Sequence, residues 1–275
     1  MEIRKENAAL SPPRVQLPAF CLLPSAFCLL PSAHKVLLVA LILLIFQPAC
    51  VFLHRQRYQH FTTPTPLSQN QILILGFMGG WQRWYKDNRR VRRLALKLRS
   101  MNDPDILVET VENKKRDLAI ELIVNAFDRN RDGSLDQHER ASARLIIYGQ
   151  SFGGAAVVKL ARQLEKMGVP VALTVQIDSV GRGDRMIPSN VARAANLYQK
   201  NGLLIRGEPA IKAENPARTR ILGNFRFDYS DKKIDLSRVS FQKKAFRVAH
   251  TKMEYDPDVW AKVEELILGT INELR

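Results

Sequence analysis

Leu145-Ile146-Ile147-Tyr148-Gly149-Gln150-Ser151-Phe152-Gly153-Gly154 is the stretch on which the reading of this chain turns. Its first residues form a short apolar run with strand character. The alanine- and valine-rich residues that follow, 153–167, have the pattern of a helix. Between the two lies a complete G-x-S-x-G, from Gly149 to Gly153. A serine on a sharp strand-to-helix turn needs glycine two places before and two places after, because only glycine leaves room for the chain to fold back. Such a turn lifts the hydroxyl above the end of a sheet. It also offers backbone N–H groups of the helix start to a developing anion.

Working outward, strand and helix patterns alternate. Residues 71–75 read as a buried strand, 87–101 as an amphipathic helix, 105–111 as a strand and 114–127 as a helix. Beyond the turn, 170–177 is a strand, 187–199 a short helix leading into another strand, and 258–274 a closing helix. Residues 202–243 are polar and irregular, with Pro209 and Pro216. Alternation of this kind predicts an α/β fold with a mostly parallel central sheet flanked by helices.

On the G-x-S-x-G and its flanks, residues 71–275 resemble the α/β-hydrolase superfamily, with no large cap domain. The resemblance implies a serine nucleophile, Ser151, and an acid and a histidine later in the chain. It also implies that the glycine-rich stretch Gly76-Phe77-Met78-Gly79-Gly80-Trp81 supplies one oxyanion-hole N–H, from Phe77 or Met78, with Phe152 as the second donor.

Asp178 ends the strand at 170–177, and catalytic groups of open α/β sheets gather at the carboxyl ends of strands. Asp184, on the next loop, is the alternative acid. The histidine follows by elimination. His34, His54 and His60 precede the fold, His138 falls in an acidic loop, and only His250 comes after the serine. Ser151, Asp178, His250 is also the order that the resemblance implies. Histidine titrates near neutrality and can take the serine proton, and the carboxylate would hold the other ring nitrogen.

The acidic loop is a second, independent motif. Residues 128–139 place Asp128, Asn130, Asp132, Asp136 and Glu139 at positions one, three, five, nine and twelve of a calcium loop. Gly133 stands at the sixth, and Ser134 at the seventh can offer its carbonyl. The segment resembles the EF-hand loop, and hard oxygen ligands of this kind suit Ca²⁺ in a structural role. The exit helix is short for that motif, about residues 137–143, and the loop has no visible partner loop. No organic cofactor is expected.

Composition bounds the rest. The chain has 275 residues, 46% of them hydrophobic, enough for one substantial core. Its formal net charge of +15 favours anionic partners. No nucleic-acid-binding module is visible, so the charge reads as a solvated surface, with the arginine-flanked helix at 87–101 facing solvent or anionic lipid. Cys21, Cys28 and Cys50 all precede the fold, which excludes a disulfide, a thiolate metal site or a cysteine nucleophile within it.

Residues 1–35 read as a low-complexity leader that carries a seven-residue repeat, A-F-C-L-L-P-S, twice. Residues 36–53 are almost continuously apolar and are expected to be a transmembrane anchor or signal segment, and 54–70 a proline-containing linker. Together these predict a membrane-anchored or exported serine hydrolase, its catalytic domain outside the cytoplasm, that cleaves a small-molecule or lipid ester or thioester. A catalytically inactive, calcium-binding interaction protein on a hydrolase scaffold is the principal alternative. A peripheral membrane protein led by its basic helix is another.

Overall fold

The computed structural model describes residues 55–202, 205–237, 239 and 248–275. The leader at 1–35 and the apolar segment at 36–53 lie outside the described residues. Among the described residues no helix is long and apolar enough to cross a membrane.

Strands of four or more consecutive apolar residues are suited to burial on both faces, and this dictates a parallel sheet covered by helices. β1 (Ile72–Met78), β2 (Ile106–Glu112), β3 (Leu145–Gln150), β4 (Val171–Ile177), β6 (Val191–Gln199) and β8 (Arg220–Phe227) form one six-stranded sheet in the order β2-β1-β3-β4-β6-β8. All of its pairings are parallel. Two short strands, β5 (Met186–Ile187) and β7 (Lys212–Ala213), pair separately. The order steps outward from β1 in both directions. Its switch lies between β1 and β3, and ligand crevices of open α/β sheets open at such a point. This is the α/β architecture expected from the sequence, a mostly parallel central sheet flanked by helices.

The helices divide between the faces. α2 (Arg116–Phe127) and α4 (Phe152–Lys166) bury Leu122, Ile123, Val157 and Leu160 against one side of the sheet. On the other side α1 (Arg90–Arg99) contributes Val91, Leu94, Ala95 and Leu98. There α5 (Val248–Tyr255) and α6 (Pro257–Leu274) add Met253, Val263 and Ile267. Each such large aliphatic side chain contributes roughly 1.5–3 kcal/mol when fully buried. α3 (Gln137–Ser142) is a single short helix ahead of β3.

Three departures from the sequence reading have identifiable causes. Residues 55–70 are not a free linker. Gln56 is buried, donates to the Thr110 carbonyl at 2.7 Å and accepts from the Glu112 N–H, while Thr62 and Thr63 both donate to Glu109 Oε1. Leu67 enters the core. Polar residues that suggested a spacer thus find buried partners on β2. The expected helix ahead of residue 191 is absent, and Met186–Ile187 is a short strand instead. The irregular 202–243 stretch contains β8, an edge strand that carries Arg220 and Arg226, whose charge masked its strand character.

His250 lies on α5, not on a loop, and the position of that helix is fixed from its far end. Asp256 is fully buried between α5 and α6. It caps α6 by accepting from the Asp258 N–H, and it takes the Tyr229 hydroxyl at 2.8 Å and Lys232 Nζ at 2.7 Å. Lys252, also on α5, donates to the carbonyls of Tyr229 and Lys232. Burial and this carboxylate together push the Tyr229 phenol far above its ordinary range. Asp256→Ala removes a cap and strands a buried hydroxyl and an ammonium. It should lower the unfolding free energy in urea by about 2–4 kcal/mol, with Asp256→Asn recovering part of the loss through the retained cap.

Candidate active site

The turn at residues 149–153 is built by contact. A Cβ on Gly149 would stand 2.5 Å from the Gly153 carbonyl oxygen, and one on Gly153 would stand 2.2 Å from the Phe77 carbonyl oxygen and 3.0 Å from that of Met78. The start of α4 therefore rests directly on β1 and β3, and any side chain at either glycine would hold them apart. Ser151 between them has φ 59° and ψ −125°, a conformation that costs a non-glycine residue of order 1–3 kcal/mol. Its backbone is held in place by partners: its N–H donates to the Ile177 carbonyl at 2.9 Å, and its carbonyl accepts from Gly154 and Val180.

Asp178 follows β4 and is also left-handed, at φ 43°. Its N–H donates to the Leu197 carbonyl at 2.7 Å, and its side chain is wholly buried. One carboxylate oxygen, Oδ2, lies 2.6 Å from His250 Nδ1 and accepts from Gln199 Nε2 at 3.1 Å. The other, Oδ1, has no hydrogen-bond partner among the described residues and faces Gly207, where a Cβ would approach it to 2.3 Å. Asp184 is engaged elsewhere: its carboxylate takes the Ser179 hydroxyl at 2.5 Å. Of the two acids left open by the sequence, Asp178 is the one placed against the histidine.

Ser151 and His250 line one cleft of about 210 Å³. Gly79, Gly80 and Trp81 line it as well, and so does Glu254, which accepts from Gln82 Nε2 and pairs with Arg89 at 3.6 Å. With Nδ1 turned to Asp178, the remaining ring nitrogen of His250 is the one available to the cleft. The carboxylate makes the Nδ1–H tautomer the favoured neutral form.

Two of the expected oxyanion donors lie within the sheet. Phe77 and Met78 belong to β1, with their side chains fully buried, in register with Val111 and Glu112 of β2. Toward Gly153 they present carbonyls. The loop that borders the cleft is one step later, at Gly79–Trp81. A Cβ on Gly79 would lie 3.4 Å from the Ser151 Cβ, so backbone alone approaches the serine there. Buried Asn113, at the end of β2, ties this loop down by donating to the carbonyls of Met78 and Gly80. Phe152, the other expected donor, opens α4, where first-turn N–H groups have no acceptor within the helix. Neither Gln199 nor Asn113 was legible as a site residue, because each acts across the sheet on a group far away in sequence. Their positions at strand ends were the only available sign.

The acidic loop lies away from the cleft, between α2 and α3. Asp128 and Glu139 are nearly buried. Asp128 accepts from the N–H groups of Asp132 and Gly133, and Glu139 from those of Arg129, Asn130 and Asp136. Asp136 caps α3 by accepting from Glu139 N–H at 2.8 Å. Hydrogen bonds from Ser134 hold the Asp132 carboxyl below its ordinary range. Gly133 takes the left-handed bend, at φ 85°. Among the described residues no group of three or more His, Cys, Asp or Glu side chains is gathered as a metal cluster. The carboxylates are directed at backbone amides of their own loop.

No family model matches the chain, and no curated protein does. Among solved structures it is similar to a dienelactone hydrolase from Anabaena variabilis, at 13% identity and a TM-score of 0.37, over 74% of this chain and 86% of that one. The fold assignment rests on the strand order and the elbow.

The contact at Gly153 generates a direct expectation. Gly153→Ala should destabilise the protein by about 3 kcal/mol or more in urea denaturation, because its new methyl meets β1 backbone, which cannot rotate away.

Proposed function

We propose that the protein is a serine hydrolase that cleaves an ester or thioester through an acyl-enzyme on Ser151. The observation that carries this reading is the 2.6 Å contact of His250 Nδ1 with Asp178 Oδ2, behind a cleft that His250 shares with Ser151 at a strained elbow. In this mechanism the Ser151 hydroxyl attacks the carbonyl carbon as its proton passes to His250 Nε2. Asp178 stabilises the imidazolium that forms. Backbone N–H groups of Gly79–Trp81 and of the first turn of α4 receive the oxyanion. Collapse of the tetrahedral species expels the alcohol or thiol with the proton from His250. Water, deprotonated by the same imidazole, then releases the acid and restores the serine. Gln199, which donates to Asp178 Oδ2, and Gly207, which packs against Asp178 Oδ1, are positioning residues in this scheme.

The apolar segment at 36–53 is proposed as the tether that holds this domain at a membrane on the extracytoplasmic side, with support from its sequence pattern. The loop at 128–139 is proposed as a structural calcium site. Support comes from its all-oxygen donor set, the left-handed glycine at the sixth place and the two nearly buried carboxylates, Asp128 and Glu139. A bound cation would be held by these carboxylates with Asn130, Asp132, Ser134 and Asp136, and would stiffen the approach to β3.

Two measurements test these readings. A fluorophosphonate probe should label the wild type on Ser151, mapped by peptide mass. Ser151→Ala should lose both the label and the turnover of an activated ester, and Asp178→Asn should lower kcat/KM by roughly three orders of magnitude. An unlabelled, folded wild type would favour the inactive-scaffold alternative. Separately, millimolar Ca²⁺ should raise the melting temperature by several degrees in the wild type and not in Glu139→Gln. An unchanged melting curve with Ca²⁺ and with chelator removes the calcium site.

A further inference from the structure

We infer that the cavity beside the cleft is a subsite for an anionic group on the substrate, so that the preferred esters carry a carboxylate or similar anion at the end of an apolar chain. This inference names the substrate class of the proposed hydrolase and rests on that reading. The cavity, about 390 Å³, joins the cleft at Gly80 and Trp81. Its wall on the cleft side is an exposed aromatic pair. Trp81 is 78% exposed and Phe152 43%, and their rings stand nearly perpendicular at 6.5 Å. Ala155 and Ala156 of α4, with Val180, make the floor apolar.

The lining is also cationic. Lys114, Arg116 and Lys159 all line the cavity, and no Asp or Glu does. Several arginines elsewhere are paired: Arg83 with Glu112, Arg99 with Glu109 and Arg162 with Glu214. Among the described residues Lys114, Arg116 and Lys159 form no ion pair. Lys114 Nζ lies 5.9 Å from the Trp81 ring centre, and Arg116 reaches only the Asn113 carbonyl, at 3.5 Å. A guanidinium that lines a cavity without a carboxylate partner is free to pair with an anion there. α2 and α4 both begin at this cavity, with Arg116 and Phe152 as their first residues, and their N-terminal dipoles add to the positive potential. An apolar floor between a nucleophile and three unmatched cations fits a chain of several carbons that ends in an anion.

The anion can sit on the acyl side or on the alcohol side of the ester, and paired substrates distinguish the two. Mono-p-nitrophenyl adipate is compared with p-nitrophenyl hexanoate, and an acetylated hydroxyhexanoate with hexyl acetate. The anionic member of one pair should show a kcat/KM about tenfold higher or more in the wild type. That ratio should fall toward one in Lys114→Gln/Arg116→Gln/Lys159→Gln. It should persist in a control, Lys200→Gln/Lys212→Gln/Arg218→Gln, which removes the same charge from distant surface. A wild type that prefers the neutral esters, or a preference that survives the first triple variant or is lost equally in the control, overturns the subsite. If no ester is turned over and Ser151 is not labelled, the hydrolase reading fails by itself. The subsite is then decided by calorimetric titration with suberate: saturable binding lost in the first triple variant supports it, and no binding in the wild type overturns it.

Discussion

The contact on which the site depends is that of Gly153 with the carbonyls of Phe77 and Met78. It brings the start of α4 onto β1 closely enough that backbone meets backbone, and Gly149 allows the same approach from β3. With the helix seated there, Ser151 has no room to relax from its left-handed conformation. Packing forces apply that strain, and the hydrogen bonds to Ile177, Gly154 and Val180 distribute it. The serine is thus presented at the carboxyl end of the sheet as a consequence of packing, with no side chain dedicated to holding it.

The same economy of parts governs the other two members of the constellation. Asp178 emerges from β4 next to the elbow because β3 and β4 are neighbours in the sheet. It is then enclosed by β6 through Gln199 and by Gly207. His250 arrives from the opposite layer, on a helix whose foot is anchored by Asp256, Tyr229 and Lys252. Two layers of helix and one sheet therefore meet at the cleft, and each contributes one group. The loop after β1 closes the fourth side, where Asn113 sets its course.

The neighbouring cavity extends this logic from chemistry to selectivity. The turn that sets Ser151 at the cleft also exposes Phe152, and the loop that borders the serine exposes Trp81. The aromatic pair is a by-product of the elbow, and it divides the cleft from a rim of cations. The surplus of basic residues, met first as a net charge of +15, has a local component here that is distinct from the arginines of α1, of which Arg92 pairs with Asp87 and Arg99 with Glu109.

How much of this was legible follows from the range of the forces involved. Periodicity and glycine spacing are local, so the alternation of strands and helices, the elbow, and the order of serine, acid and histidine could be read along the chain. The choice between Asp178 and Asp184 could not, because both follow β4 before the next strand and only the arrival of α5 distinguishes them. Nor could the sequence show that the loop beside the serine begins at Gly79, since β1 continues through Gly76–Met78 and no local signal reveals where pairing stops. β8 and the packed segment 55–70 escaped notice because their partners lie far away in sequence. By itself the sequence determined the architecture and marked Ser151, two acids and His250 as the candidate side chains. Tertiary structure alone decided which acid, which loop and which cations face one another, because those are contacts between separate strands and helices, and no local preference encodes them.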